Sequence, residues 1–425
     1  MKPARLMVAL ACCLPLLAPA AEVCSAGLPG DLEVRTVLGG LPQLHIAGSE
    51  IRRSQANRSA LVAGPHEWTV RGRLQERRVE NAFDCARCTE GEIAVERGVR
   101  WFGKAAQDAA YGEQTVMVAQ LSYADTWHEA GRALLSSWFD WQREEHSAQL
   151  LQRQVEVLER QVAAVSTRVH AGEAAALEER MAQTELDRGV VAQRQAAQMA
   201  HRRMLDLRQQ YPGLRLDLPA CLEDPPAAIE SDAAWSERIL ADNHELELAD
   251  AELAAARLRA GRADAARTPD PTVGMHYGEE RNRQERIVGL TIAIPIGGPA
   301  RTAEHDAALA EVAVAEERAR MVRLKVEADI ARALAAAQAN AARWTQLAGI
   351  ASQAAGNADL VLRGYQLGEF GFNETLQARR QAIDSALAAQ TAQLDALEAV
   401  ARLRLDAHEI WAAPEEPQAA AALQH

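Results

Sequence analysis

The stretch "PDPTVGMHYGEERNRQERIVGLTIAIPIGG", residues 269–298, is written in a period of two. Val273, Met275 and Tyr277 alternate with Thr272, Gly274 and His276, and Val288, Leu290, Ile292, Ile294 and Ile296 alternate with Gly289, Thr291 and Ala293. That period gives each segment one apolar and one polar side, the pattern of a strand. The polar run "EERNRQE" lies between them, so the pair predicts a hairpin with strands over about 271–279 and 286–296. Runs of about ten residues are long enough for a tilted strand to cross a hydrocarbon layer. An ordinary half-buried hairpin of a soluble domain has the same pattern, and the strands alone do not separate the two.

An earlier hairpin has the same layout. In "HEWTVRGRLQERR", Trp68, Val70 and Leu74 alternate with Thr69, Arg71, Arg73 and Gln75. "EIAVERGVRWF" sets Ile93, Val95, Val99 and Trp101 on one face, with Arg97 as the exception. Strands are predicted over about 66–80 and 92–102, joined by the polar connector "VENAFDCARCTEG". "DAAYGEQ" from Asp108 and "DAALAEV" from Asp306 each follow one of the hairpins, about 200 residues apart. "GEAAALEERMA" from Gly172 and "GEFGFNETLQA" from Gly368 match at nearly the same separation, in Gly, two Glu and the final Ala. The chain therefore reads as one plan used twice, over 21–220 and 221–412.

After each hairpin come about 110 residues with almost no proline, over 103–210 and 299–412. Leu151, Val155, Leu158, Val162, Val165 and Val169 recur at steps of four and three, a coiled-coil seam, and Leu376, Ile383, Leu387, Leu394 and Leu397 fall on a similar one. An uninterrupted helix of about 60 residues would reach roughly 90 Å, so each region is expected to fold back once into an antiparallel pair. Gly172 and Gly368 are the natural reversal points, because glycine accepts the left-handed conformation that ends helices. Gly371 then caps the restarted helix, with Glu374 in its first turn, and Glu178 holds the same place after Gly172. Trp127, Leu134, Trp138 and Trp141 share a helical face and read as packing. The linker "YPGLRLDLPACLEDPPAAIE" joins the halves, and a helix is predicted to start near Ser231.

The first residues, "MKPARLMVALACCLPLLAPAAEV", have the basic, apolar and small-residue parts of a secretory signal peptide over 1–20, with cleavage after Ala20. Acylation of Cys24 is disfavoured by the bulky Val23 before it. Exported chains carry disulfides, and Cys24, Cys85, Cys88 and Cys221 make an even set. Cys85 and Cys88 suit a local bridge or free thiols in a loop, and a Cys24–Cys221 bridge would staple the N-terminus to the linker. No second cysteine pair or spaced histidine pair accompanies "CARC", so no metal site is expected there. The tail over 413–425, rich in Pro, Glu and Ala, is expected to be disordered.

Aromatics make up only 4% of the 425 residues while 48% are hydrophobic, which suits long helices meeting along narrow seams. A net charge of -13 argues against nucleic acid as a partner. The sequence holds no phosphate-binding loop, dinucleotide fingerprint, H-E-x-x-H or nucleophile elbow, so neither an enzyme nor a cofactor is expected.

Signal peptide, two hairpins, two folded-back helical arms and the duplication together resemble the TolC family of bacterial outer-membrane efflux proteins, over essentially the whole mature chain. "PDPTVGMHYGEERNRQERIVGLTIAIPIGG" looks like that family's second hairpin and "GYQLGEFGFNETLQARR", from Gly364, like its second periplasmic helix tip. "EWTVRGRLQERR" and "YADTWHEAGRALLSSWFDWQ" look most like the CzcC-type heavy-metal subgroup.

The resemblance implies a mainly α chain with a membrane β-barrel portion. A homotrimer closes a 12-stranded barrel in the outer membrane, and its helices form a tube through the periplasm. The implied partners are a periplasmic adaptor, an inner-membrane pump of the resistance-nodulation-division type, and outer-membrane lipid. Four strands cannot close a barrel, whereas three chains supply enough. The tips at Gly172, Glu173, Gly368 and Glu369 would meet the adaptor. Tyr365 falls where a tyrosine helps to hold the entrance shut in TolC, and Glu374 falls on an acidic ring position. Phe370 stands where TolC has an arginine, so the sequence predicts closure by aromatic packing without a Tyr–Arg latch. The expected function is a passive exit duct of a tripartite efflux system, with divalent metal cations as one cargo class. Its rivals are a soluble periplasmic coiled-coil scaffold and a protein-secretion duct of the same family.

Overall fold

The computed structural model describes residues 24–25, 27–78, 87–219, 221–226 and 230–414. The predicted signal peptide, Cys85 and the tail from residue 415 lie outside them. Two helices, α1 (Asp31–Gly39) and α2 (Pro42–Ala63), lead into β1 (Trp68–Arg78) and β2 (Arg87–Gly98), followed by α3 (Lys104–His170) and α4 (Ala176–Gln210). The second half repeats that order with α5 (Asp232–Ala241), α6 (His244–Ala266), β3 (Thr272–Glu280), β4 (Glu285–Ala293), α7 (Pro299–Leu367) and α8 (Phe372–Asp406). The sequence reading had placed the helices mainly after each hairpin. The helices before them are harder to see because they bury mostly small residues: α6 buries Leu246 with Ala249, Ala251 and Ala260, and α2 buries Leu44, Ala47, Gly48 and Ile51.

The strands form one antiparallel sheet in the order β1-β2-β3-β4. The helices joined to them keep the same neighbours: α2 packs on α3, α3 on α6 and α6 on α7. Each strand thus continues into a helix of one layer. The long helices α3 and α7 have 67 and 69 residues and reach about 100 Å. Each folds back once, and the 35-residue α4 and α8 pack against α3 and α7 respectively.

Strand ends depart from expectation for chemical reasons. Pairing of β1 with β2 persists to Arg78 opposite Arg87, so part of the polar connector is strand. Val99 and Trp101 lie beyond β2, where the Trp101 amide donates to Asp270 Oδ1 at 3.0 Å and leaves the ladder. β4 stops at Ala293, because Pro295 has no N–H for a ladder.

Asp270 ties the sheet to the helices. Its carboxylate accepts from Lys104 Nζ at 2.7 Å and from the Trp101 amide, and His66 Nε2 lies 2.8 Å from it. Burial alone would raise its pKa, but the Lys104, Trp101 and His66 hydrogen bonds outweigh that and lower it to about 2. Beside it Arg100 donates to the Leu61 and Val62 carbonyls and, with Arg262, holds Asp108.

The main core lies midway along the helices, where Trp127, Leu134, Trp138 and Trp141 are all buried, as the shared helical face predicts. Trp138 Nε1 donates to the Gly27 carbonyl at 2.8 Å, docking the N-terminal strap onto α3. Cys24 and Cys221 form a disulfide, so Cys24 has no free thiol to acylate. Cys88 is buried and disulfide-bonded.

Candidate functional site

Two regions carry the functional geometry: the faces of the sheet and the far tips of the helical hairpins. In the sheet the register aligns like with like. Val70 faces Val95, Val95 faces Met275, and Met275 faces Leu290. Gly72, Ile93, Tyr277 and Val288 form the next row. Residues directly opposite one another share a face, so one side of the whole sheet is apolar. It is also uncovered: Trp68, Val70, Leu74, Ile93, Val273, Met275, Tyr277, Val288, Leu290 and Ile292 are 41–85% exposed. Arg97 sits at one end of this face with its guanidinium 5.4 Å from the Trp68 ring centre and Nε donating to the His66 carbonyl, an edge position for a cation among apolar neighbours.

The opposite side of the sheet is charged. Arg71 pairs with Glu96 at 2.5 Å, Arg77 with Glu90 at 3.0 Å, and Arg73 lies 3.7 Å from Glu92. An apolar face without cover and a polar face with its own ion pairs match a wall between lipid and water. Among the described residues no helix is long and apolar enough to cross a membrane.

At the tips both reversals are the same motif. Gly172 has φ +78° and Gly368 φ +81°. The Gly172 and Glu173 amides donate to the Val169 and Arg168 carbonyls, and the Gly368 and Glu369 amides to those of Tyr365 and Gly364. These are paired Schellman caps, in which a left-handed residue lets two amides satisfy helix-end carbonyls. A Cβ at either glycine would meet nothing within 4 Å, so substitution is opposed by backbone conformation alone. Gly368→Ala or Gly172→Ala is therefore expected to cost about 1 kcal/mol in urea unfolding. Gly349→Ala, in the exposed middle of α7, should instead stabilise by roughly 0.5–1 kcal/mol.

The two glutamates at matched positions have different partners. Glu374 reaches back to accept from the Gly371 amide at 2.5 Å, half of a capping box, since Gly371 has no side chain for the other half. Glu178 instead accepts from the Tyr365 hydroxyl at 2.5 Å, joining the tips of the two hairpins within one chain. Burial, and then the bond to Glu178, raises the Tyr365 pKa to about 12. A raised tyrosine pKa means that the contact's contribution is complete below pH about 10 and is lost as pH rises through about 12. Glu173 and Glu369 are exposed beside the two glycines.

Phe370 packs within its own tip. Its ring lies over Gly364 of its own tip and stays 44% exposed. The aromatic contact at the core of the tip is made by Phe372, which is buried with Val165, Ala182 and Leu376 and stands 5.6 Å from Tyr365. Tyr365 also has a basic neighbour: the Arg168 guanidinium, from the first hairpin, lies 5.0 Å from its ring centre. Arg380 adds a further link to Glu185 between the hairpins. Sequence reasoning missed Arg168, Glu185 and Phe372; the step of four from Phe372 to Leu376 within α8 is the local signal that Phe372 turns inward.

Fold and faces together are those of one antiparallel sheet with an uncovered apolar side, carried on long helical hairpins. Residues 235–405, from within α5 almost to the end of α8, match the family model described as outer membrane efflux protein. The fold of the whole chain is that of solved channels. The outer membrane channel CmeC of Campylobacter jejuni superposes with a TM-score of 0.70 at 12% identity, covering 97% of this chain and 96% of that one. The outer membrane protein VceC of Vibrio cholerae has a TM-score of 0.70 at 15% identity, with 89% and 95% covered. The MtrE outer membrane channel of Neisseria gonorrhoeae, solved in its open state, has a TM-score of 0.70 at 17% identity, with 92% and 93% covered. No curated protein matches the chain.

Proposed function

We propose that this protein is the passive exit duct of a tripartite efflux system. Three chains close a 12-stranded barrel in the outer membrane, and their helices form a tube across the periplasm that meets an adaptor at the tips. The observation that carries this reading is the uncovered apolar face spanning all four strands and continuous with helices of about 100 Å. A soluble coiled-coil scaffold would leave that face in water, where a patch of this size is an aggregation hazard. A single four-stranded sheet leaves β1 and β4 with open edges, which neighbouring copies in a closed barrel satisfy.

Within that duct, Tyr365, Phe370 and Phe372 narrow the entrance by aromatic packing, with Glu178 and Arg168 fixing the tyrosine. Cationic cargo, divalent metal ions above all, fits the acidic tips: Glu173, Glu178, Glu369 and Glu374 recur three times around the mouth, where focused charge raises local cation concentration. The pump and adaptor supply energy and specificity, so the duct carries no catalytic group.

The test is fractionation followed by single-channel recording. The protein is expected in the outer membrane as a heat-sensitive trimer, and recovery as a soluble periplasmic protein rejects the duct. In planar bilayers, Glu178→Gln/Glu374→Gln is expected to lower cation conductance and cation-over-anion selectivity about two- to fivefold at low salt, an electrostatic effect that screening removes. Unchanged selectivity rejects the cationic-cargo reading and leaves the duct standing.

A further inference from the structure

Arg97 interrupts the apolar side of the sheet at its helix end. The row across the sheet there is Trp68, Arg97, Val273 and Ile292, one residue per strand, and its three apolar members are exposed. Just past the end of β2, Val99, Trp101 and Phe102 are exposed as well, Phe102 at 93%, and the two rings meet edge to face with centres 5.9 Å apart. A cation thus stands among uncovered aromatic and aliphatic side chains where the strands give way to helices.

The guanidinium is only partly used. Nε donates to the His66 carbonyl at 3.1 Å, and the group stands 5.4 Å from the Trp68 ring centre. Among the described residues, Nη1 and Nη2 have no hydrogen-bond or ion-pair partner. The arginines of the opposite side differ, since Arg71, Arg73 and Arg77 each face a glutamate. β2 is an inner strand, flanked by β1 and β3, so a neighbouring copy that joins at an edge of the sheet does not reach Arg97 through the ladder. A guanidinium held through Nε presents its other two nitrogens as a fork, which fits two oxygens of a carboxylate or a phosphate. Position along the strand selects between those anions. The stretch of β2 from Arg97 back to Gly91 covers about 20 Å and carries the apolar rows through Val95 and Ile93. Where those rows lie in hydrocarbon, their end lies at the depth of the lipid phosphates, which is also where tryptophan collects.

We infer that Arg97, framed by Trp68, Trp101 and Phe102, binds the phosphate diester of a glycerophospholipid in the periplasm-facing leaflet, one lipid per chain. The inference rests on the duct reading, which puts the apolar face in lipid and the helices in the periplasm. The phosphate accepts from Nη1 and Nη2, the Trp68 ring steadies the guanidinium from the side, and the acyl chains lie along Val95, Val273 and Met275. A lipid fits better than a free anion because the side chains around Arg97 offer a small hydrated ion nothing beyond the cation itself, whereas they match acyl chains. One such anchor in each chain fixes the depth of the barrel and with it the height at which the helical tube begins.

The experiment titrates the full-length protein in detergent with palmitoyl-oleoyl phosphatidylglycerol, followed by native mass spectrometry and thermal unfolding. The comparison probes are the matching diacylglycerol, which lacks the phosphate, and inorganic phosphate, which lacks the chains. The parent is expected to retain one phosphatidylglycerol per chain and to melt higher with it, and to respond to neither comparison probe. Arg97→Leu is expected to bind the lipid about tenfold more weakly, the worth of a charge-assisted hydrogen bond, and to lose most of the shift. Leucine suits the lipid side of a strand, so this variant is expected to assemble as well as the parent. Arg97→Gln should repeat the loss, and Arg71→Gln, on the charged side, should leave lipid binding unchanged. A shift from diacylglycerol or inorganic phosphate as large as that from phosphatidylglycerol overturns the proposal on the parent alone, and so does retention of the parent's lipid affinity by Arg97→Leu. Insertion is scored separately by fractionation: an outer-membrane trimer without phosphate-selective lipid binding removes this site and leaves the duct, whereas a soluble periplasmic protein removes both.

Discussion

Leu290→Arg is expected to destabilise the assembled protein strongly, by about 2–4 kcal/mol per chain, the cost of arginine on the lipid face near the middle of a barrel. Leu290 is suited to the experiment because it stands near the centre of β4, opposite Met275, in a row that continues through Val95 to Val70. It is 85% exposed in the isolated chain, so nothing within the protomer is disturbed by a longer side chain. The sign of the effect carries the information. If the face met water, replacing an exposed leucine by arginine would be neutral or would improve solubility. If it meets hydrocarbon, the guanidinium must be desolvated or must thin the bilayer, and a trimer carries that cost three times. Thr69→Arg is the control. Thr69 stands on the other face of the sheet, opposite Glu96, where a cation joins an existing ladder of Arg–Glu pairs and should change stability by no more than about 0.5 kcal/mol. Urea unfolding in lipid and the yield of folded trimer are the readouts. Equal effects of the two substitutions would remove the basis for assigning the apolar face to lipid.

That face was legible in the sequence because alternation survives any error in strand ends: Val288, Leu290 and Ile292 are on one side wherever β4 starts. The ends were not legible. The charged face of the sheet is written in Arg, Glu and Gln, the same residues that mark loops, so the first residues of β2, Arg87 to Gly91, read as connector. The tips divide in the same way. Gly172 and Gly368 announced themselves because a left-handed helix end selects glycine. Glu374 announced itself as a first-turn carboxylate and does cap its own helix. Glu178 occupies the same local position, yet it bonds Tyr365, 187 residues away. With Phe370 where the resembled family has an arginine, the sequence offered no basic partner for Tyr365, whereas Arg168 arrives from the other hairpin. Pairings of this kind depend on how α3, α4, α7 and α8 lie against one another, and no local pattern encodes that.

Removal of the Cys24–Cys221 bridge is expected to have the other large effect. The bond spans 197 residues and so links the start of the first repeat to the start of the second. Closing a loop of that length restricts the unfolded chain by an amount worth about 5 kcal/mol on the entropic model, and measured losses on removing native bridges run about 2–5 kcal/mol. Nearby contacts decide where in that range the loss falls. Ser25 bridges to Leu222 in parallel fashion, with the Ser25 amide donating to the Cys221 carbonyl at 3.3 Å and the Glu223 amide to the Ser25 carbonyl at 3.2 Å. The Gly27 carbonyl accepts from Trp138 Nε1 and Gln142 Nε2, and Pro219 of the linker packs against Gly27. The strap therefore has a docking site of its own on α3 and stays in place locally when the sulfurs are removed. The loss is then carried by the unfolded state, which regains a loop of nearly half the chain. Cys24→Ser/Cys221→Ser is expected to lower the free energy of unfolding by about 2–5 kcal/mol while hydrogen exchange near Trp138 in the native protein is little changed. A shift under about 0.5 kcal/mol, or exchange at the strap that rises as much as the global loss, would show that the bridge acts on the native strap and leaves the unfolded chain unrestricted.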